Sequence, residues 1–491
     1  MTHNWSQYQL AIFDDAENGE GNTVVEALAG SAKSSSLVET INRFPKNVSW
    51  LSVAFNVKIV DELKKKVPNT KNGQVNTIHS YGLKCLYKSL GKITVDEDKT
   101  STLLEKTLGK KLKDKHVKYQ LIETVRKSKL TLSSSKEEIE SVIDRFEIDL
   151  FEYPEDDFIN HVQFLLNLSK KYSSVVDMED MIWLPVVLPI DVIHYDRVLV
   201  DEGQDLAKTA RKLILKIPTQ NGRVFVFADK NQQIMGWAGA DLNSVDQFRT
   251  ELNAKTLSLP ICYRCPRKVV TEAQKYVPQL QPWEHAKEGF VERIKESEMM
   301  KKATPGCVIL SRYNAPLLSL AMKFIAENRA VNILGRNIGQ NLSIMIKQSK
   351  CKSIDKFLIW LEKWKNREYV KLIARNKPAD WVLDRFTCLN VLADSCESLK
   401  EMKESIDRLF TDTDESSRIT LSSVHKFKGA ECDKVFVLAY TLRKAPQEEI
   451  CISYVSLTRA KQELYLVYKD KKEKQSWIDE NSEEMSEIGT D

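Results

Sequence analysis

Two short stretches constrain the fold of this chain more than any other feature: Ala27-Leu28-Ala29-Gly30-Ser31-Ala32-Lys33-Ser34 and, far downstream, Asp201-Glu202-Gly203-Gln204-Asp205. Each follows an apolar run, Val24-Val25 in the first case and Val198-Leu199-Val200 in the second. A buried strand that ends in a Gly/Ser loop and then opens a helix belongs in a parallel sheet with helices on both faces. The same alternation extends outwards. Val24 to Ala27, Trp50 to Phe55, Asn76 to His79, Arg197 to Val200 and Val224 to Phe227 read as strands of one sheet. Cys307 to Leu310, Val331 to Leu334, Ile419 to Ser422, Val435 to Leu438 and Leu464 to Val467 read as strands of a second. Two Lys-, Glu- and Leu-rich stretches with helical periodicity interrupt the pattern. The expected organisation is α/β, with residues 1–84 and 176–270 forming one parallel-sheet domain around a helical insertion at 85–175. Residues 271–341 and 411–476 form a second domain around a smaller helical insertion at 342–410, and an acidic tail follows at 477–491.

At 491 residues the chain is longer than one core usually holds. No apolar run approaches the ~20 residues that span a bilayer, so no membrane association is expected. The first residues lack a basic segment followed by an apolar one, so no secretory signal is expected. The nine cysteines are scattered and odd in number, which suits free thiols in a reducing compartment. Cys262 and Cys265 have metal-like spacing, but no second pair matches them, so no zinc site is expected. The net charge of +4 does not announce a polyanionic partner. The lysine runs Lys64 to Lys66 and Lys110, Lys111, Lys113, Lys115 and Lys118 suit either a solvated helix face or contact with phosphate backbone.

The two motifs describe a nucleotide and metal site. Backbone N–H groups in a loop leading into a helix point at phosphate oxygens, and the helix N-terminus favours negative charge. Ala29, Gly30, Ser31, Ala32, Lys33, Ser34 and Ser35 would cradle the phosphates, with Lys33 reaching the β- and γ-phosphates. Ser34 and Asp201 would hold Mg2+, and Glu202 would activate the attacking water. A glycine is usual where Ala32 stands, and if that position needs a positive φ the alanine costs on the order of 1 kcal/mol.

Taken in order, seven further blocks make the chain resemble the UvrD/Rep family of superfamily 1 DNA helicases. They are Tyr8 to Ile12, Phe55 to Lys58, Thr77 to Ser80, Ala228 to Ala240, Cys262 to Pro266, Val424 to Glu431 and Tyr454 to Lys461. The resemblance implies two RecA-like domains with compact 1B-like and 2B-like insertions, ATP and Mg2+ as cofactors, and single-stranded and tailed duplex DNA as partners. It implies that Gln9 reads the adenine edge, Tyr263 stacks on the ring and Glu431 bonds to the ribose or phosphate side. Gln232 would sense the γ-phosphate, and Arg264 and Arg459 would act as arginine fingers. Phe55, Asn56, His79, Trp237 and His425 would line the DNA groove.

The activity implied is an ATP-dependent, 3′-to-5′ single-stranded DNA translocase and helicase in replication, repair or recombination, working beside replication or repair proteins. Its expected location is the cytoplasm, that of a host if the chain is phage-encoded. A different reading is an ATP- and DNA-binding switch or scaffold with weak turnover. The chain departs from the family pattern at Ala32, Ala228, Met235, Ala238 and Cys451; the changes at Ala32, Ala228, Met235 and Ala238 bear on turnover, while Lys33, Asp201, Glu202, Gln232, Arg264 and Arg459 are intact.

Overall fold

A computed structural model describes residues 4–470, apart from 55–56, 68–71, 110–111, 147, 149, 151–152, 237–238, 242, 375–378 and 412–416. The expected DNA-groove residues Phe55, Asn56 and Trp237, the lysines Lys110 and Lys111, and the tail at 477–491 lie outside the described residues. The chain divides into two compact units, Met1–Pro260 and Ile261–Asp491. This division falls ten residues earlier than the boundary read from sequence. Lys255–Leu259 is the last strand to join the first sheet, and after Pro260 the chain pairs Ile261–Cys262 with Gln281–Pro282 instead.

The first unit carries a six-stranded sheet in the order Gly73–Thr77, Trp50–Ala54, Tyr195–Val200, Pro218–Ala228, Thr23–Ala27, Lys255–Leu259. Every pairing in it is parallel. The central strands are buried on both faces, which explains their runs of Val, Leu and Phe. The sheet order sets the tips of three adjacent strands, Ala27, Ala228 and Val200, side by side. Their carboxyl ends lead into the phosphate-loop motif, Asp229 and Asp201, on the edge where such sheets bind ligands.

Two strands differ from the sequence reading. The segment expected as strand from Asn76 to His79 ends as a strand at Thr77, and Ile78–Leu90 is a helix. The switch comes from Thr77, whose hydroxyl accepts the Ser80 N–H at 3.1 Å and caps the helix. Lys255–Leu259, with its exposed lysine and threonine, is a further edge strand.

The helical insertion of this unit holds the helices Lys99–Thr107, Lys115–Thr131, Lys136–Arg145, Glu155–Lys171 and Met178–Val187, around a core that includes Leu121, Val125, Phe158, Val162 and Leu184. It is fastened to the sheet domain by apolar packing and by polar groups. Gly82 lets the helix Ile78–Leu90 meet Met178–Val187 so closely that a Cβ there would lie 1.9 Å from the Met181 carbonyl oxygen. Thr209, on the helix after the acidic motif, donates its hydroxyl to the Lys129 carbonyl at 2.5 Å and the Leu130 carbonyl at 3.0 Å.

Inside the insertion lies a sealed charge network. Lys129 Nζ is 2.6 Å from Asp177 and 2.8 Å from Asp180, and Lys99 Nζ is 2.5 Å from Asp180. Thr100 donates to Asp177 at 2.7 Å, and Ser169 donates to Asp180 at 3.0 Å. Asp177 and Asp180 also form the capping box that starts the helix Met178–Val187.

The second unit has a seven-stranded sheet in the order Phe290–Lys295, Ala460–Tyr468, Cys432–Leu438, Val308–Ser311, Ile419–Ser423, Val331–Leu334, Phe410–Thr411. All its pairings are parallel. Its edge strands Phe290–Lys295 and Phe410–Thr411 add to the five read from sequence. The helices Arg336–Gln348, Ile354–Ala374, Asp380–Asp394 and Leu399–Leu409 occupy the second insertion. Among the described residues no helix is long and apolar enough to cross a membrane.

Lys129→Met removes one cation from a buried cluster of two cations and two carboxylates. It should destabilise the first unit by about 3 kcal/mol or more, read by denaturant unfolding and by faster hydrogen exchange across 99–131.

Candidate functional site

The phosphate loop grows from the strand Thr23–Ala27, which is held between Pro218–Ala228 and Lys255–Leu259. Leu28 N–H donates to the Leu259 carbonyl at 3.1 Å, and Ser31 N–H donates to the Leu28 carbonyl at 3.1 Å, so the chain turns back sharply. Gly30 and Ala32 both adopt positive φ, +70° and +59°, before the helix Lys33–Asn42 begins. Ala32 therefore occupies a left-handed position that a glycine would fill without strain. Ala29 and Ser31 are buried, while Ser34 and Ser35 are exposed on the first helical turn. That turn has backbone N–H groups without intrahelical partners. Ser31 Oγ is buried without a hydrogen-bond partner, a polar group in a loop shaped to receive oxygen ligands. Gln9 is buried alongside. Its amide accepts the Ser6 N–H at 3.1 Å and donates to Ser36 Oγ at 3.0 Å, tying the helix Gln7–Asn18 to the phosphate-loop helix.

Lys33 reaches two strand-tip acids: its Nζ lies 3.3 Å from Asp201 and forms a close ion pair with Glu202. Burial would lower the lysine pKa, but Glu202 and Asp201 outweigh it and hold the ammonium above its ordinary range. Burial pushes the Asp201 carboxyl up, and Lys33 opposes that shift. Glu202 has a φ of +52°, and its N–H donates to Asp201 Oδ1 at 2.9 Å.

From Glu202 a polar chain crosses to the neighbouring strand tip. Gln204 Nε2 donates to Glu202 Oε2 at 2.5 Å, and Gln204 Oε1 accepts the Asp229 N–H at 3.1 Å. Gln232 Nε2 donates to Asp229 Oδ2 at 2.8 Å. Burial raises Asp229 to about 6, against the hydrogen bonds from Gln232 and Asn231. The structure thus brings Lys33, Asp201, Glu202 and Gln232 into one connected cluster. Gln204 and Asp229, the links that complete it, lie in motifs quoted from the sequence, yet nothing in one dimension shows that they meet.

The other expected nucleotide residues lie in the second unit. Arg264 Nε pairs with Glu431 at 2.6 Å, and its Nη1 donates to the Thr458 carbonyl at 3.3 Å. Arg459 is buried, donating to the Val455 and Ala430 carbonyls at 3.0 and 3.2 Å and to Thr458 Oγ1 at 3.3 Å. Both arginines therefore converge on Thr458, and Glu431 bonds to Arg264. Tyr263 packs against Trp283 with centroids 5.9 Å apart. Cys262 and Cys265 flank this pair of functional candidates as free thiols. The Cys265 thiol hydrogen-bonds to Cys262 and draws it down to about 7. Among the described residues no group of three or more His, Cys, Asp or Glu side chains could hold a metal ion.

Of the expected DNA-groove residues, His79 stands in the first turn of the helix Ile78–Leu90, where burial lowers its pKa. His425 follows the strand Ile419–Ser423 in the second unit. Burial, with Arg312 and Lys428 nearby, pushes His425 down to about 3.

The donor set fits Mg2+: Ser34 and Asp201 offer hard oxygens, few in number, as suits an ion that keeps waters and takes phosphate oxygens. Two outcomes follow from this geometry. Ala32→Gly should stabilise the first unit by about 1 kcal/mol, read as a higher thermal midpoint, because the left-handed strain disappears. The unfolded chain protonates His425 near pH 6.5, whereas the folded chain holds it neutral to about pH 3, so its contribution is full above 6.5 and is lost as pH falls. His425→Asn should therefore lose about 2 kcal/mol less stability than the parent chain between roughly pH 7 and pH 5, measured by urea unfolding.

Comparison with known proteins agrees with this arrangement. The UvrD/REP helicase N-terminal domain matches residues 11–253, and the UvrD-like helicase C-terminal domain matches residues 389–471. The ATP-dependent DNA helicase Rep of Escherichia coli is 25% identical over 283 residues, 52% of this chain and 40% of Rep. The ATP-dependent DNA helicase PcrA of Staphylococcus epidermidis is 25% identical over 287 residues, 52% of this chain and 38% of PcrA. DNA helicase II of Haemophilus influenzae is 29% identical over 93 residues, 19% of this chain and 13% of that protein. The chain thus matches about two-fifths of the length of its Rep and PcrA relatives. With phosphate loop, strand-tip acids and both domain matches in the family's order, the chain belongs to the UvrD/Rep helicase family.

Proposed function

We propose that this chain is an ATP-driven motor that moves 3′-to-5′ along single-stranded DNA and displaces a complementary strand from tailed duplexes. The observation that carries this reading is the connected cluster of Lys33, Asp201, Glu202, Gln204, Asp229 and Gln232. Lys33 would exchange its carboxylate partners for phosphate oxygens. That exchange frees Glu202 to accept a proton from the attacking water and frees Asp201 to serve, with Ser34, as metal ligand. Mg2+ bound there would neutralise charge on the phosphates. Gln232 is the γ-phosphate sensor, and its link to Glu202 through Asp229 and Gln204 lets the phosphate state reach the segment after the strand Pro218–Ala228.

Arg264 and Arg459 stabilise charge on the transferred phosphoryl group, Gln9 and Tyr263 hold the base, and Glu431 holds the ribose or phosphate side. Phe55, Asn56, His79, Trp237 and His425 grip the strand by stacking and polar contacts. States with and without nucleotide must hold DNA differently for hydrolysis to bias motion. The names of the Rep and PcrA relatives, both ATP-dependent DNA helicases, support this reading. Replication or repair proteins are the partners we propose, and the cytoplasm is its place of action.

One observation favours a second reading, a nucleotide- and DNA-binding switch with weak turnover: Ala32 holds the phosphate loop in a strained conformation. Strand displacement decides between them. The parent chain should separate 3′-tailed but not 5′-tailed duplexes in the presence of ATP. Lys33→Ala should lower DNA-stimulated hydrolysis by at least about a hundredfold while keeping the circular-dichroism spectrum. Slow turnover indifferent to DNA would favour the switch, and full hydrolysis by Lys33→Ala would overturn the phosphate-loop assignment.

A further inference from the structure

The short strand Ile261–Cys262 leads into the motif that holds Tyr263 and Arg264, and it pairs in parallel with Gln281–Pro282. Ile261 lies opposite Gln281, and Cys262 lies opposite Pro282. The Trp283 N–H donates to the Cys262 carbonyl at 3.2 Å, which carries the pairing past the strand ends. Tyr263 and Trp283 therefore leave the two strands side by side. Their rings meet with centroids 5.9 Å apart and planes tilted by 51°. That separation lies within the ~4.5–7 Å over which aromatic rings attract one another. Tyr263 is half-buried, and Trp283 is 37% exposed.

The loop that carries Trp283 is fastened back onto the same motif. Ala286 N–H donates to the Trp283 carbonyl at 2.9 Å and closes a turn. Arg267 spans that turn: its Nε donates to the Ala286 carbonyl at 3.1 Å, and its Nη2 donates to the Glu284 carbonyl. Its own N–H donates to the Lys287 carbonyl at 2.9 Å, and Lys268 N–H donates to the Glu288 carbonyl at 3.0 Å. Gly289 then passes Pro266 so closely that an added Cβ would lie 2.3 Å from the proline Cβ. The His285 ring meets Trp283 edge-on, with centroids 5.1 Å apart. Trp283 thus stands on backbone that is held before it and after it.

We infer that Trp283 is a positioning residue for the nucleotide: by packing against Tyr263 it holds the tyrosine ring in the pose that stacks on the base. The inference rests on the base-binding role proposed for Tyr263. A half-exposed tyrosine gives up rotamer freedom when it stacks on a ligand, and a fixed neighbouring ring takes that loss before the ligand arrives. Indole suits the task because a large rigid face is set by only two side-chain torsions. An aliphatic side chain would fill the space without fixing the tilt between two rings. Because Trp283 acts through Tyr263, its effect is confined to ligands that carry a base.

The test uses the full chain and the variants Trp283→Leu, Trp283→Phe, Tyr263→Ala and the double variant Tyr263→Ala with Trp283→Leu. Calorimetry with Mg2+ present measures binding of two probes: adenylyl imidodiphosphate, a non-hydrolysable ATP analogue, and inorganic tripolyphosphate, which has no base. Trp283→Leu should raise the Kd of the ATP analogue about fivefold, and Trp283→Phe should raise it by less than about twofold. The Kd of tripolyphosphate should stay at the parent value in both. In the Tyr263→Ala background, Trp283→Leu should add little further rise, since both changes act on one contact. If Tyr263→Ala weakens the analogue and Trp283→Leu does not, the inference is overturned and the role of Tyr263 stands. Equal losses for both probes in Trp283→Leu overturn it as well, since they mark general damage to the unit, and so does a full additive rise in the double variant. If Tyr263→Ala itself leaves the analogue's affinity unchanged, the base-binding assignment fails and takes the inference with it.

Discussion

A lysine ammonium held between two carboxylates at the edge of a parallel sheet is the interaction on which the chemistry proposed for the first unit depends. Lys33 comes from the helix after one strand, and Asp201 and Glu202 from the tip of another, with a third strand between them. Removing these charges from water is costly, and the arrangement persists because each carboxylate offsets the burial of the lysine. The same balance makes the cluster responsive. Under the proposed motor function, an anionic phosphate competing for Lys33 would release two carboxylates together, one suited to a metal and one to a proton. The hydrogen bonds through Gln204 and Asp229 extend the consequences to Gln232.

A second buried charge cluster serves a different purpose. Lys99, Lys129, Asp177 and Asp180 lie within the helical insertion, away from the strand tips, with every carboxylate engaged by a lysine or hydroxyl partner. Here the charges cap a helix and fix its register against its neighbours. Lys129 also presents its carbonyl to Thr209, so the residue that centres the network joins the insertion to the helix after the acidic motif. Electrostatics thus builds a chemical centre in one place and a mechanical joint in another.

Much of this was legible in the sequence, for physical reasons. The central strands are apolar on both faces and stand out as runs such as Val198 to Val200 and Val224 to Phe227. Edge strands are half-solvated, and Lys255–Leu259 and Phe290–Lys295 carry the polar residues that hid them. The strand expected to reach His79 stops at Thr77 because a side-chain hydroxyl caps a helix there, a local competition that periodicity does not register. Lys33, Asp201 and Glu202 were readable because loop and acid motifs have strong local signatures. Gln204 and Asp229 were not assigned roles, since the hydrogen bond that joins the acidic motif to the next strand tip links positions 25 apart in sequence. The conformational demand at Ala32 was posed by the sequence as a question and answered by its positive φ.

The close approach at Gly82 and the Thr209 anchors also bear on how this protein can change over evolutionary time. Excising the helices from Lys99 to Val187 would bare the flank of Ile78–Leu90 at Gly82 and strand the Thr209 hydroxyl, which donates to carbonyl oxygens of that insertion. Genetic shortening at this insertion therefore carries a cost at the joint. Lineages that remodel the unit must do so by trimming solvent-facing connections, leaving the joint itself as inherited architecture.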